Sequence, residues 1–382
     1  MRLLAILLAI AGLAPAAPTT KDDYLVYFGT FTNSGKSKGI YVQRFNAATG
    51  KLDPIGLAAE SDNPAFLAIH PNRRYLYAVN EVNEVNGQKT GAVSAFSIDK
   101  ATGKLTFLNK TATKSTGPCH LNVDHTGKNV LVANYAGGGV TVIPLNADGS
   151  LKEASQYIQH EGNGPNAQRQ EAPHAHSVNM SKDNRFAIVA DLGLDQVKVY
   201  RFDPAAGKLT PNEPAFMKTA PAMGPRHFAF NPKGKYAYVI NEMASSLTAM
   251  KWDPARGTLT EFQTLSTLPG GNPVKGNSTA EVIAHPSGKF VYGSNRGHNS
   301  IAVFKVGKDG KLTHVDNTAT QGGVPRNFVL DPTGRFLLAE NSNTGTVVVF
   351  RIDQSSGKLT PTGQTVEVPE PVCGRFVALK GK

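Results

Sequence analysis

One stretch of this chain recurs along its length. Its clearest copy is Gly224-Pro-Arg-His-Phe-Ala-Phe-Asn-Pro-Lys-Gly-Lys-Tyr-Ala-Tyr-Val-Ile-Asn-Glu242. Phe228 and Phe230 alternate with Ala229, Asn231-Pro-Lys-Gly234 supplies turn residues, and Tyr236 to Ile240 form a second β-rich run. The stretch therefore predicts two strands joined by a tight turn. Related copies run from Pro64 to Glu81, Pro118 to Tyr135, Ala175 to Leu192, Thr279 to Arg296 and Pro325 to Ser342. A third alternating run follows each copy, as in Val197-Lys-Val-Tyr-Arg-Phe202. A turn and a short outer segment come next, as in Ala206-Gly-Lys-Leu-Thr210 or Ser356-Gly-Lys-Leu-Thr360. Four strands repeating every 50 residues or so are the pattern of propeller blades.

Six copies are complete, and the ends supply a seventh. Tyr24 to Thr30 match the second strand, Gly39 to Phe45 the third, and Thr49-Gly-Lys-Leu52 the fourth; Gly374 to Leu379 read as the missing first strand. The expected fold is all-β: a seven-bladed β-propeller of four antiparallel strands per blade, closed by a blade built from both termini. Closure removes free sheet edges and ties down both ends. No domain boundary interrupts residues 22–380. High Gly (38) and Pro (24) and only 18% charged residues fit many short strands joined by turns.

Residues 1–17 stand apart. Arg2, the apolar run Leu3 to Leu13 and the small-residue pattern Ala14-Pro-Ala16 read as a secretory signal peptide. The run is about half of the roughly 20 residues a membrane helix needs, so no stable membrane insertion is expected. A periplasmic or secreted protein follows, with cleavage near Ala16 or Ala17. Cys119 and Cys373 lie in non-neighbouring repeats and read as unpaired thiols. The formal charge of +11 is spread over turn lysines, without a basic run carrying aromatics. It reads as a soluble basic surface, with no nucleic-acid partner. A monomer or weak dimer is expected.

Most repeat residues are structural. Asn80, Asn134, Asp191, Asn241, Asn295 and Asn341 share one position at the end of the second strand, where Asn and Asp bond nearby backbone. Function is sought where blades differ at the first-strand start and second-strand end, which open on one face. Going round, the Arg226 position reads Arg375, Ala65, Cys119, His176, Arg226, Ala280 and Arg326. The next reads Phe376, Phe66, His120, Ser177, His227, Glu281 and Asn327. The Glu242 position reads Thr30, Glu81, Tyr135, Leu192, Glu242, Arg296 and Ser342. These rings collect His, Arg and Glu where the scaffold is otherwise apolar. Clustered arginines suit an anionic ligand, which guanidinium grips with two bonds. A His and a Glu beside them can exchange protons, a confined Glu being expected to move its pKa upward.

His176, Arg226, Glu242 and Arg296 are the candidate catalytic residues. Arg326, His120, His227, Glu81, Tyr135 and Glu281 are candidate substrate-binding residues. Arg226 and Glu242 could alternatively be an ion pair closing the channel mouth, and His120 and His227 could simply bond backbone. His174, ahead of its strand, ranks below His176. No His-x-x-x-His or Cys-x-x-Cys spacing supports a metal site, and Gly-x-Ser-x-Gly is missing. Lactone opening needs no such nucleophile, because an activated water can attack the carbonyl while a cation steadies the oxyanion.

With these residues in place, the chain from about Tyr24 to Leu379 resembles the seven-bladed propeller lactonases, a family that includes propeller-type 6-phosphogluconolactonases and carboxy-muconate cycloisomerases. The most specific pieces are His176 to Arg185, Gly224 to Pro232, Val239 to Ser246 and Ser294 to Phe304. The resemblance implies a His, an Arg, a Glu and a second Arg at the site, falling on His176, Arg226, Glu242 and Arg296, with no metal and no organic cofactor. It implies hydrolysis of a sugar lactone or related small anionic lactone or sugar-acid substrate. A muconate-type cycloisomerase and a non-enzymatic exported binding scaffold are the alternatives. The leader departs from a cytoplasmic sugar-phosphate role, and the long loop Glu161 to Glu171 before His176 could reshape the pocket.

Overall fold

The computed structural model describes residues 23–379. The predicted leader, residues 1–17, lies outside them. Twenty-eight strands form seven four-stranded sheets. Six sheets are consecutive in sequence, for example Pro225–Phe230, Tyr236–Asn241, Ser246–Asp253 and Thr258–Ser266. The seventh pairs Pro371–Ala378 with Asp23–Thr30, followed outward by Gly39–Asn46 and Lys51–Glu60. Every ladder is antiparallel, and the first strand of each blade is innermost, as the repeat predicts. The only helical element among the described residues is the short turn Pro269–Gly271, and none of their helices is long and apolar enough to cross a membrane.

The core lies between blades. Phe186, Ile188 and Val197 of one blade pack on Phe228, Val239 and Trp252 of the next, all buried. Alternation along each strand sends successive side chains to the two neighbouring blades, which is why both faces of every sheet are apolar. The Gly-x-Leu turns lock this packing. Gly257 has φ 68°, and a Cβ on it would lie 2.3 Å from the Phe186 ring. The turn thus needs both a left-handed backbone and a missing side chain. Buried tyrosines add hydrogen bonds across the same seam: Tyr27 Oη donates to the Gly103 carbonyl at 3.0 Å and Tyr77 Oη to that of Gly149 at 2.9 Å.

The Asn ring is structural, as expected. Asn241 Nδ2 donates to Thr248 Oγ1 at 3.0 Å, and Asn80 Nδ2 to the Asp62 carbonyl at 2.7 Å. Both cysteines are free and buried.

The closing blade differs in register from the sequence alignment. Pro371 pairs with Thr30 and Cys373 with Gly29. Thr30 therefore occupies the Asn position, where its hydroxyl donates to the Gly39 carbonyl at 2.6 Å. Phe31, whose N–H donates to the Glu370 carbonyl, takes the level of Glu242, whose N–H donates to that of Gly224. Val372 takes the Arg226 position. Arg375 lies three residues further along, over the Phe66 ring. The two strands of this pair are buried on both faces, Asp23–Thr30 along its whole length, so no polar–apolar alternation marks where the pairing starts.

Candidate active site

The residues that differ between blades owe their direction to a repeated backbone irregularity. In the ladder of Pro225–Phe230, Pro225 pairs with Asn241 and His227 with Ile240, leaving Arg226 as the extra residue of a bulge. Cys119, His176 and Arg326 are the skipped residues of equivalent bulges. A bulge re-aims its extra side chain out of the ladder, here into the channel. The preceding residues set it up. Gly224 (φ 65°) and Val324 (φ 58°) are left-handed and each precedes a proline, which has no N–H to offer a ladder. A Cβ on Gly224 would sit 2.9 Å from the Met243 sulfur. This recurring X-Pro was the available sequence signal for the bulges.

Glu242 is the hub of the cluster. Arg226 Nε donates to its Oε2 at 2.8 Å, Arg296 Nη2 to the same oxygen at 3.0 Å, and Arg169 Nη2 to Oε1 at 2.6 Å. His176 Nε2 lies 4.0 Å from Oε2. Arg226 is further held by the Ala280 carbonyl at 2.8 Å, and Arg296 by that of Thr279 at 2.8 Å. The four candidate catalytic side chains thus converge. Glu242, Arg226 and His176 are buried, while the Arg169 side chain is 42% exposed and forms the outer wall. Sequence reasoning singled out the loop that carries Arg169, but not the residue. A third guanidinium facing a carboxylate already shared by two could not be read from spacing.

The electrostatics divide the acids. Burial alone would raise the Glu242 carboxyl, but Arg296, Arg226 and Arg169 overcome it and bring it down to about 2. The expected upward shift is therefore reversed at Glu242: confinement came with three cations. Glu81 follows the expected direction, raised by burial against the opposing pull of Arg326 and Arg226. His176 is held well below the ordinary imidazole range by burial and by the nearby Arg226, so it is neutral at neutral pH.

A narrow cleft is lined by Phe66, Glu81, Cys119, His176, Arg226, His227 and Arg326. Arg326 stacks on Phe31 at 5.0 Å and forms no ion pair among the described residues. Tyr135 lies at the rim, stacked on His174 at 4.5 Å and accepting a 3.3 Å bond from Arg169. His120 and Glu281 lie deeper. His120 packs on Phe66 and accepts the Val178 N–H at 3.3 Å, while Glu281 bonds His227 Nδ1 at 3.0 Å and Asn327 Nδ2 at 2.5 Å. Glu281 is thus an internal counter-ion that orients His227. Among the described residues, no three His, Cys, Asp or Glu side chains form a group that could hold a metal ion.

The family model described as "Lactonase, 7-bladed beta-propeller" matches residues 25–376. The chain belongs to the seven-bladed β-propeller lactonase family. It is 40% identical to the 6-phosphogluconolactonase of Bacillus subtilis (strain 168) over 356 residues, covering 93% of this chain and 98% of that protein. It is 31% identical to the 6-phosphogluconolactonase of Formosa agariphila, covering 90% and 96%. Among solved structures it superposes on the Pseudomonas aeruginosa periplasmic gluconolactonase with a TM-score of 0.87 and 34% identity, covering 94% of this chain and 100% of that one. The match over residues 25–376 reaches strands of all seven blades, including both ends of the closing one.

Proposed function

We propose that this protein is an exported lactonase that hydrolyses a sugar lactone of the gluconolactone or 6-phosphogluconolactone type, using acid–base groups in the propeller mouth. The observation that carries the reading is a neutral imidazole, His176, set 4.0 Å from a carboxylate caged by three guanidiniums and opening on a cleft. The names of the relatives support hydrolysis over cycloisomerisation or simple ligand capture.

His176 acts as general base. Its Nε2 takes a proton from water as the oxygen attacks the lactone carbonyl carbon. The carbonyl electron pair moves to oxygen, where the unengaged N–H groups of Arg226 and Arg296 stabilise it; Arg296 Nε has no protein partner. Collapse breaks the ring C–O bond, and the imidazolium returns its proton to the leaving oxygen, giving the hydroxy acid. Glu242, ionised far below neutral pH, is unsuited to abstract a proton. It holds the arginines in place and stabilises the transient imidazolium. Arg326, with no acid partner, receives the substrate's phosphate or carboxylate. Export is supported by the leader sequence and by the periplasmic relative; N-terminal sequencing of the recovered protein should begin near Ala17 or Pro18.

Base titration with glucono-δ-lactone and 6-phosphogluconolactone tests the reading. The parent should hydrolyse at least one well above the background rate, and His176→Asn should lose about 100-fold or more in kcat with the ring still folded. No turnover of either lactone, or an undiminished His176→Asn variant, refutes it.

A further inference from the structure

The two faces of the ring carry opposite charge balances. The thirteen described turns on the face away from the mouth hold sixteen Lys and Arg against eight Asp and Glu, an excess of +8. The loops of the mouth face hold seven against eight, a balance of −1. Most of the formal +11 of the chain is therefore on one side. The acids there are occupied locally: Asp99, Asp148, Asp309 and Asp353 accept backbone N–H bonds within their own turns. Many of the lysines are not. Lys233, Lys235, Lys289 and Lys308, all exposed, line one cleft between neighbouring blades and form no ion pair among the described residues. Lys128 and Lys152 line another such cleft two blades away.

Both ends of the chain also leave from this side. The Leu379 N–H donates to the Asp23 carbonyl at 3.2 Å, beside the turn that follows Asn46. Both ends of the described chain thus lie on the basic face.

We propose that the face opposite the mouth is a docking surface for an anionic phospholipid bilayer, holding the ring with its mouth turned away. The net excess lies on four of the seven blades, +3 on the blade that contains Tyr75–Asn80 and +6 over the three that run from Ala175 to Ala319, so it covers a broad part of the face rather than one groove, which suits a plane of headgroups better than a single linear polyanion. Lysines whose ammonium groups project from turns are compact, hydrated and mobile, the form in which basic residues attract an anionic surface within a Debye length. Binding of this kind needs no inserted helix.

The test is co-sedimentation of the mature chain with vesicles of equal parts phosphatidylglycerol and phosphatidylcholine, and with vesicles of phosphatidylcholine alone. Binding to the anionic vesicles should be about tenfold tighter or more at low salt and largely lost near ~0.5 M salt. Changing Lys233, Lys235, Lys289 and Lys308 together to Gln should weaken it about tenfold. A matched variant that changes the mouth-face lysines Lys36, Lys38, Lys89 and Lys275 to Gln removes the same charge and should bind like the parent. All three proteins are used in the mature form beginning near Ala17, so the apolar leader contributes to none of the measurements. Equal binding to both vesicle types, equal losses in the two variants, or salt-sensitive binding to duplex DNA with none to vesicles would each overturn the proposal.

Discussion

The mouth and the opposite face are built from the two ends of the same strands, yet they treat charge in contrary ways. At the mouth, Arg226, Arg296 and Glu242 are largely withdrawn from water and satisfy one another across blades. On the far side, lysines stand in solvent beside aspartates that serve only their own turns. The contrast lies in the variation among blades. The far turns repeat Gly-x-Leu because most perform a common packing task, Gly50, Gly149, Gly257, Gly310 and Gly357 each being seated on a neighbouring blade's aromatic ring. The mouth positions are mostly bulged and vary between blades, so unlike side chains such as Cys119, His176 and Arg226 meet in one place. Repetition makes the scaffold, and local departure from it makes the chemistry.

The largest effects should separate the two faces by activity. Glu242→Gln keeps the shape of the hub but removes the charge shared by three guanidiniums. Lactone hydrolysis should fall by about 100- to 1,000-fold. Lys289→Gln, on the other side, should leave kcat/KM within about twofold. Steady-state kinetics on both variants decides it, and comparable losses in the two would erase the functional distinction between the faces.

Arg169 sharpens the mouth side of that contrast. Its guanidinium reaches Glu242 from solvent while Arg226 reaches it from the core. Arg169 is itself half-exposed and the buried Glu242 keeps two other guanidiniums, so Arg169→Ala should leave the melting temperature nearly unchanged. It should raise KM about tenfold for a phosphorylated lactone, with a smaller change in kcat. If kcat falls instead and KM holds, Arg169 acts on the transition state rather than on binding.

Acid should expose the same asymmetry as stability. His120, His176 and His227 are all held below the usual imidazole range, first by burial and then by neighbouring cations, Glu281 opposing this at His227. The unfolded chain takes up protons near pH 6.5 that the folded ring refuses, so stability falls as pH drops below about 6.5. Glu242 adds a second window. Its folded value of about 2 lies below its unfolded one near 4.5, so its contribution is present above 4.5 and lost on the way down to 2. Urea midpoints should therefore decline from pH 7 to 5, by up to about 1.4 kcal/mol per pH unit for each fully buried His. His120→Gln should flatten that slope, whereas substituting the exposed Lys128 should not. A flat profile in the parent would mean that these imidazoles are hydrated in solution.

The fold was legible in the sequence because packing wrote it many times over. Seven versions of a turn-strand pattern fix strand order, blade count and closure through both termini. The four hub residues were legible for the opposite reason, as polar letters where sister repeats are apolar. What stayed hidden was anything set by one residue of backbone geometry. Thr30 and Arg375 lie one and three residues from their expected positions, since a strand buried on both faces has no alternation to fix its register. Arg169 comes from a non-repeating loop with no counterpart to compare. Glu340 is fully buried with neither carboxylate oxygen bonded to protein, and its carboxyl is pushed well up by burial, yet it reads in sequence as one more second-strand residue.

The smallest effect should come from the scaffold itself. Tyr77 is fully buried, and its hydroxyl reaches the Gly149 carbonyl in the next blade on the far side of the ring. Tyr77→Phe deletes one hydrogen bond and keeps the ring packing, so it should cost about 1 kcal/mol. In a chain of this size that lowers the melting temperature by only one to three degrees or so. Because this bond lies at the far end of the seam from Ala65 and Phe66, which line the cleft, kcat and KM should both stay at parental values. A Tyr77→Phe variant that loses activity without losing stability would show that the blade seams transmit strain to the mouth, and the division of labour between the two faces would fail.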